Sequence, residues 1–218
     1  CIVLCTFFTS IAGFFTAKFK MHPFISTMAN MLVIFGLVTY ATKGVSFGSI
    51  EATIPNMIIP KVNGFPTIIL WALAAIIIVW FIWNKTTFGK NMFAVGSNPE
   101  AANVSGVNVM RTTILVHTLA GCMYGITGFI ESARIGSNQA NTGLNYECDA
   151  IAACVIGGVS FVGGTGKISG VVLGVFILRI IFVALQFLAV SQNMQYVIKG
   201  LIILIACAID MRKYLVRK

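Results

Sequence analysis

An all-α, polytopic bundle of transmembrane helices is the fold class that three features of this chain predict. Its residues are 58% hydrophobic and only 10% charged, with a mean hydropathy of +0.93. The apolar residues gather into runs near the roughly 20 needed to cross about 30 Å of hydrocarbon. Between the runs stands a single long polar interval, Phe88–Val107, reading FGKNMFAVGSNPEAANVSGV, with an acidic residue, paired small residues and a basic flank. A water-soluble domain has no interior in which to hide so much apolar surface.

Taken in chain order, the expected spans are Cys1–Ala17, Phe24–Tyr40, Phe65–Trp83, Thr112–Ile130, Cys148–Phe161, Ile168–Val190 and Gln195–Asp210, about seven by hydropathy. The first two and Cys148–Phe161 are short. Since about 14 residues at 1.5 Å per residue cover only about 21 Å, re-entrant segments are the alternative for these. Cys1–Ala17 has neither a basic leading region nor a small-residue cleavage site, so it reads as a membrane helix cut into, not a signal peptide. The expectation is one transmembrane domain over residues 1–218 that lacks its amino-terminal spans, with a loop at 84–111.

Charge placement orients these spans. Lys85, Lys90 and Arg111 bracket the interval around the lone Glu100, and Arg212, Lys213, Arg217 and Lys218 crowd the terminus beyond Asp210. Both regions belong on the cytoplasmic side by the positive-inside rule. The four expected spans between them close that topology, which leaves Glu131–Glu147 and Ala41–Gly64 outside and Lys18 and Lys20 inside; Lys43 and Lys61 run against the trend. The net charge of +9 is therefore accounted for by topology and lipid headgroups. No aromatic-basic pattern points to nucleic acid.

The chemistry-bearing residues are sparse. The six cysteines, Cys1, Cys5, Cys122, Cys148, Cys154 and Cys207, sit in apolar runs without metal-ligand spacing and read as small buried hydrophobes. His22 precedes Pro23 at a span boundary. His117 lies inside a span, where a solute contact and a helix–helix hydrogen bond are equally open readings. Gly121, Gly125 and Gly128, and again Gly166, Gly170 and Gly174, would give smooth faces for close helix approach. Gly157-Gly158 and Gly163-Gly164, within IGGVSFVGGTGKISG, would break or bend a helix, which membrane depth tolerates only inside protein or beside a water-filled cavity. Lys167 follows these glycines, but Ile168 comes next and no strand precedes, so the phosphate-loop order fails. Glu147 and Asp149 begin a short span, and Glu131 with Arg134 flanks the turn before it. These carboxylates read either as helix caps or as groups that line a solute path or pair with Arg134 to gate it. No nucleophile, base and ligand constellation is visible, so the chain is expected to be no enzyme, with no catalytic residue, metal or cofactor of its own.

Three stretches carry a resemblance: AVGSNPEAANVSGVNV at Ala94–Val109, GFIESARIGSNQANTGLNYECDAIAACVIGGVSFVGGTG at Gly128–Gly166, and QYVIKGLIILIACAID at Gln195–Asp210. With them the chain resembles, over essentially its whole length, the permease subunits of bacterial ABC importers for monosaccharides of the ribose and galactose type. The resemblance implies an ABC importer permease-like fold with a cytoplasmic coupling helix. It implies a multi-pass protein of the bacterial cytoplasmic (inner) membrane with a cytoplasmic carboxyl terminus. Its partners would be a cytoplasmic ABC ATPase that binds ATP and Mg, a second and identical permease subunit, and a periplasmic or extracellular sugar-binding protein. Galactose or a methyl-galactoside is the favoured solute, with ribose-like sugars open. In that family a Glu-Ala-Ala loop enters a groove on the ATPase. The matching residues here are Glu100, Ala101 and Ala102, followed by Gly106 and preceded by Gly96 and Pro99. From the residues themselves, the candidates for a solute path or gate are His117, Glu131, Arg134, Asn141, Glu147, Asp149, Gly157, Gly158, Gly163 and Gly164. Cys148 departs from the family pattern, where Leu is more usual. The competing class is an ion-coupled secondary transporter, which would need ionisable groups near mid-membrane; only His117 and Arg179 are expected well inside spans.

Overall fold

A computed structural model describes residues 1–46, 55, 58–62 and 65–215. Half of the expected outer segment Ala41–Gly64 falls outside them. The elements are α1 (Ile2–Phe19), α2 (Pro23–Thr42), a two-residue antiparallel ladder of β1 (Lys61–Val62) and β2 (Phe65–Pro66), α3 (Ile68–Lys85), α4 (Thr87–Ser97), α5 (Pro99–Val104), α6 (Val109–Ile135), α7 (Tyr146–Ile156), α8 (Ile168–Phe187) and α9 (Gln192–Leu215). Apart from the ladder the architecture is the expected helix bundle. Six of these helices, α1, α2, α3, α6, α8 and α9, are long and apolar enough to cross a membrane. The chain divides into two compact units, Cys1–Val95 with Glu100–Thr142, and Gly96–Pro99 with Gly143–Lys218.

The burial pattern inverts that of a soluble protein. Ala12, Ala133, Ala152 and Ala153 are buried, while Phe7, Leu70, Trp71, Phe81, Leu173 and Phe176 are exposed. Lipid tails are as apolar as leucine, so helices in hydrocarbon associate through close packing and hydrogen bonds and keep their large side chains for the lipid.

In the first unit α1 and α6 run antiparallel on small residues. A Cβ at Gly121 would stand 2.8 Å from Thr6 Cα, one at Gly125 would stand 2.5 Å from Ile2 Cα, and one at Gly13 would stand 2.7 Å from His117 Cβ. Hydroxyls add polar links at the same seam, Ser10 Oγ to Thr118 Oγ1 at 2.9 Å and Thr6 Oγ1 to Cys122 Sγ at 3.3 Å. Gly128 does not join this stripe, because nothing lies within 4 Å of its added Cβ: α1 already meets α6 at Ile2 beside Gly125. Ser26 of α2 donates to the Ala12 carbonyl at 3.0 Å and fixes the α1–α2 corner.

In the second unit α8 lies antiparallel to α7 and buries Gly174 beside Ala153 and Gly170 beside Gly157. Ala152, Leu178 and Phe182 form the core, with Ile156, Leu185 and Ile203 around it. Two polar contacts hold α9 beside α7: Lys199 meets Asp149, and Asp210 meets Ser160 and Phe161. Both sides advance together along the sequence, so α7 runs parallel to α9.

One expected span is corrected. Cys148–Phe161 is the 11-residue α7 followed by a loop; the helix covers only about 16 Å. It stops because Gly158 takes φ +80°, with Gly158 N–H donating to the Val155 carbonyl and Val159 N–H to the Cys154 carbonyl, both at 2.9 Å. This pair of bonds is the Schellman arrangement. Gly166 likewise lies before α8 and packs against Val159, so it is no part of the α8 stripe.

Leucine at Gly121 or Gly170 should overpack a backbone contact and cost about 1–3 kcal/mol, measured as a lowered midpoint when the intact subunit is unfolded in mixed micelles. Gly36→Leu should leave that midpoint unchanged, because nothing lies within 4 Å of that position.

Candidate functional site

The polar interval folds into a corner and a short helix. Thr86 ends α3 and starts α4: its hydroxyl donates to the Ile82 carbonyl at 2.5 Å and accepts from Gly89 N–H at 3.1 Å. Gly89 is buried where a Cβ would stand 2.6 Å from the Ile82 carbonyl oxygen, and Trp83 meets Phe93 edge-on at 5.5 Å. Pro99 then opens α5, since its missing N–H is one the first turn does not need. The helix closes on Gly106 at φ +84°, with Gly106 N–H donating to the Asn103 carbonyl and Val107 N–H to the Ala102 carbonyl, each at 3.0 Å. It is the same capping device that ends α7. Asn108 Oδ1 accepts from Arg111 N–H at 2.9 Å and starts α6 at once.

This geometry fixes which side of α5 is available. Ala102 is buried, whereas Glu100, Ala101 and Asn103 are exposed and Val104 is 89% exposed. The small side chain at 102 thus serves the chain's own packing, and Val104, which sequence reasoning missed, stands outward beside Glu100 and Ala101. Gly106 is required for its backbone, since nothing lies within 4 Å of its added Cβ.

The four glycines of the broken segment do separate jobs. Gly158 turns the chain out of α7, and Gly157 lets α8 approach. Gly163 and Gly164, at φ +108° and +74°, form a seat for Gly96 and Ser97. A Cβ on Gly163 would stand 2.6 Å from the Gly96 carbonyl oxygen, and one on Gly164 would stand 2.7 Å from Ser97 Cα. The residues that lead into α5 therefore rest on this loop. Ser160 N–H donates to the Thr165 carbonyl at 3.0 Å and ties its two ends.

The candidate path residues are only partly brought together. Glu131 and Arg134 form a two-pronged pair on α6, at 2.8 Å to Nε and 2.5 Å to the terminal nitrogen. Asn141 is exposed in the turn region before α7, and Glu147 is half-buried. Asp149 makes no cap to the start of α7; its Oδ1 lies 2.5 Å from Lys199 Nζ, an ionic contact outside hydrogen-bonding geometry. Lys199 also stands 5.2 Å from the Phe182 ring and 5.6 Å from the Tyr196 ring. Sequence reasoning missed Lys199, whose signal is a lone cation eleven residues before Asp210 in an apolar run. His117 Nδ1 lies 2.9 Å from the Thr113 carbonyl oxygen of its own helix while the ring packs over Gly13. Arg179 is exposed in mid-α8. Among the described residues no grouping of His, Cys, Asp and Glu could hold a metal ion.

The most polar interval of the chain is thus a capped helix with an exposed outer face. The profile of the branched-chain amino acid transport system / permease component family matches residues 1–207. The chain belongs to that family. The permease is 46% identical to the galactose/methyl galactoside import permease protein of Treponema pallidum (strain Nichols), over 100% of this chain and 42% of that protein. It is 44% identical to the galactose/methyl galactoside import permease protein of Escherichia coli (strain K12), over 95% of this chain and 64% of that protein. It is also 40% identical to the L-arabinose transport system permease protein of the same strain, over 93% of this chain and 62% of that protein. The chain thus spans about two fifths to two thirds of the length of these relatives. No solved structure matches it.

Gly106→Ala should cost the cap of α5 about 1–2 kcal/mol, the penalty for a left-handed residue with a Cβ. Hydrogen exchange on the intact subunit should show faster exchange at the amides of Ser105 and Val107. Gly106→Asn, whose side chain tolerates that conformation, should keep most of the protection.

Proposed function

We propose that this permease forms one half of the translocation path of an ATP-driven monosaccharide importer, with galactose or a methyl-galactoside as solute, and that α5 is its coupling helix. The observation that carries the reading is the exposed face Glu100, Ala101 and Val104 on a helix capped at Gly106 and preceded by the seated residues Gly96 and Ser97. Such a helix can enter a groove on another protein and pass on its motion. That protein is a cytoplasmic ABC ATPase, which binds ATP and Mg; this chain supplies neither nucleotide binding nor hydrolysis. A second, identical permease subunit completes the path, and an exported sugar-binding protein delivers the solute. Residues 1–218 then act as one permease domain, with 84–111 as its ATPase-docking loop.

The orientation follows the basic flanks. With 84–111 and the carboxyl terminus both in the cytoplasm of a bacterial inner membrane, an even number of crossings must lie between them. The long helices α6, α8 and α9 supply three, so α7 with its flanking loops supplies the fourth as a broken crossing. The parallel course of α7 and α9 supports this, since both would run inward. Gly157, Gly158, Gly163 and Gly164 would then lie toward the cytoplasm and Glu131, Arg134, Asn141, Glu147 and Asp149 toward the outside, each a path candidate within its own unit, while His117 stands in the α1–α6 seam.

The Asp149–Lys199 pair favours a second reading, an ion-coupled carrier, because such carriers need ionisable groups within the bundle. Reconstitution separates the two. Uptake that requires the ATPase and binding protein and survives a protonophore supports the importer; uptake without them sinks it. The solute panel should hold galactose, methyl-galactoside, arabinose, ribose and a branched-chain amino acid.

Val104→Trp and Glu100→Arg in the intact subunit should lower uptake while membrane insertion persists. For Val104→Trp the expected loss is 5–150-fold, the equivalent of about 1–3 kcal/mol of overpacking or coupling. The charge reversal should do less, because an exposed charge is screened. Normal ATPase retention on pull-down together with normal uptake in Val104→Trp would remove α5 from the coupling role. The subunit purified without partners should hydrolyse no ATP.

A further inference from the structure

The coupling reading leaves one residue of α9 without a role. Asp210 sits close to the carboxyl-terminal end of α9, where a negative charge opposes the helix dipole. Its Oδ2 nevertheless gathers two donors from the glycine loop, Phe161 N–H at 2.9 Å and the Ser160 hydroxyl at 3.2 Å. Ser160 is buried, and its Oγ accepts in turn from Val162 N–H at 3.1 Å. The backbone bond from Ser160 N–H to the Thr165 carbonyl closes the loop, and between those two residues lie Gly163 and Gly164, on which Gly96 and Ser97 rest. One carboxylate oxygen thus stands at the root of a chain of contacts that ends at the residues leading into α5.

The register supports a designed contact. Lys199 and Asp210 are eleven residues apart on α9, and their partners Asp149 and Ser160 are eleven apart on the α7 side. Eleven residues make about three turns, so both α9 side chains lie on one face. The ion pair at Asp149 fixes α9 along α7, and that places Asp210 at the loop.

We propose that Asp210 is a positioning residue for coupling: it holds loop 158–166 in the shape that seats Gly96–Ser97, so that displacement of α5 is passed to α7, α8 and α9 instead of being lost in the loop. This rests on the coupling reading of α5. A helix that moves against a soft support transmits nothing, whereas a loop whose backbone donors are tied to α9 moves with α9. Because both bonds go to a single oxygen, the amide oxygen of asparagine can replace it. The charge is dispensable and the acceptor is not.

The test uses the intact permease reconstituted in proteoliposomes with its ATPase and sugar-binding protein, comparing wild type, Asp210→Asn, Asp210→Leu and Ser160→Ala. Hydrogen exchange is read over 94–99 and 158–166, and sugar uptake is read per ATP hydrolysed. In Asp210→Leu both peptides should exchange faster, and uptake per ATP should fall at least about fivefold, the lower end of ordinary site coupling, with the ATPase still retained. Asp210→Asn should restore both readouts to near wild type, which a role in charge alone would not allow. Ser160→Ala, a milder change that keeps the Phe161 bond, should fall between and serves if the leucine variant fails to insert. Unchanged exchange in both peptides, or an asparagine variant as impaired as the leucine one, overturns the proposal. Faster exchange with unchanged uptake per ATP would mean that Asp210 holds the loop but that the segment does not couple, which overturns the coupling reading instead.

Discussion

Close approach of backbones is the constraint from which the rest of this fold follows. In hydrocarbon a helix gains little by hiding leucine from lipid, so two helices stay together only where their surfaces interlock. Gly157, Gly170, Gly174 and Ala153 supply such a surface between α7 and α8, and Gly13, Gly121 and Gly125 supply one between α1 and α6. Once α7 is seated on α8, the points at which it ends and the loop begins are set. The seat for Gly96 and Ser97 is a consequence of that placement.

Polar contacts then select one register among the many that smooth faces would allow. A desolvated ion pair is weak evidence for stability, because its Coulomb gain is offset by the cost of leaving water. It is better suited to discrimination: Asp149 meets Lys199 in one axial position of α9, and slippage by a turn leaves both charges unpaired. The rings of Phe182 and Tyr196 near Lys199 add quadrupole attraction, which strengthens as water is removed. The two hydroxyl links in the α1–α6 seam play a similar part with neutral groups.

How much of this could be read from the chain depended on whether the signal was local. Six of the seven expected spans exist because length and apolarity are properties of a window. Their ends moved by a few residues: Phe65 and Pro66 pair in the ladder before α3 begins at Ile68, and α6 starts at Val109, where Asn108 caps it. The seventh was over-extended because apolarity continues past Gly158 while the helix does not. At Pro99–Val104 the helix itself was legible from Pro99, but not the face it buries. Ala102 turned inward because tertiary packing set the rotation of α5. Lys199 was masked by the apolar residues around it, and its partner Asp149 lies fifty residues away, a separation that no window senses.

Lys199 has a further consequence for how the chain enters the membrane. A lysine near the middle of a helix costs about 2.5–3.5 kcal/mol when the segment is handed to the lipid on its own, which makes α9 a reluctant substrate for the translocon. Chains are made from the amino terminus, so α7 and α8 have left the ribosome before α9 follows. Asp149 on α7 and the ring of Phe182 on α8 are then already waiting for the cation. Helix α9 thus enters a membrane in which its counter-charge has been installed, and biogenesis of this permease acquires a direction that the finished bundle no longer displays.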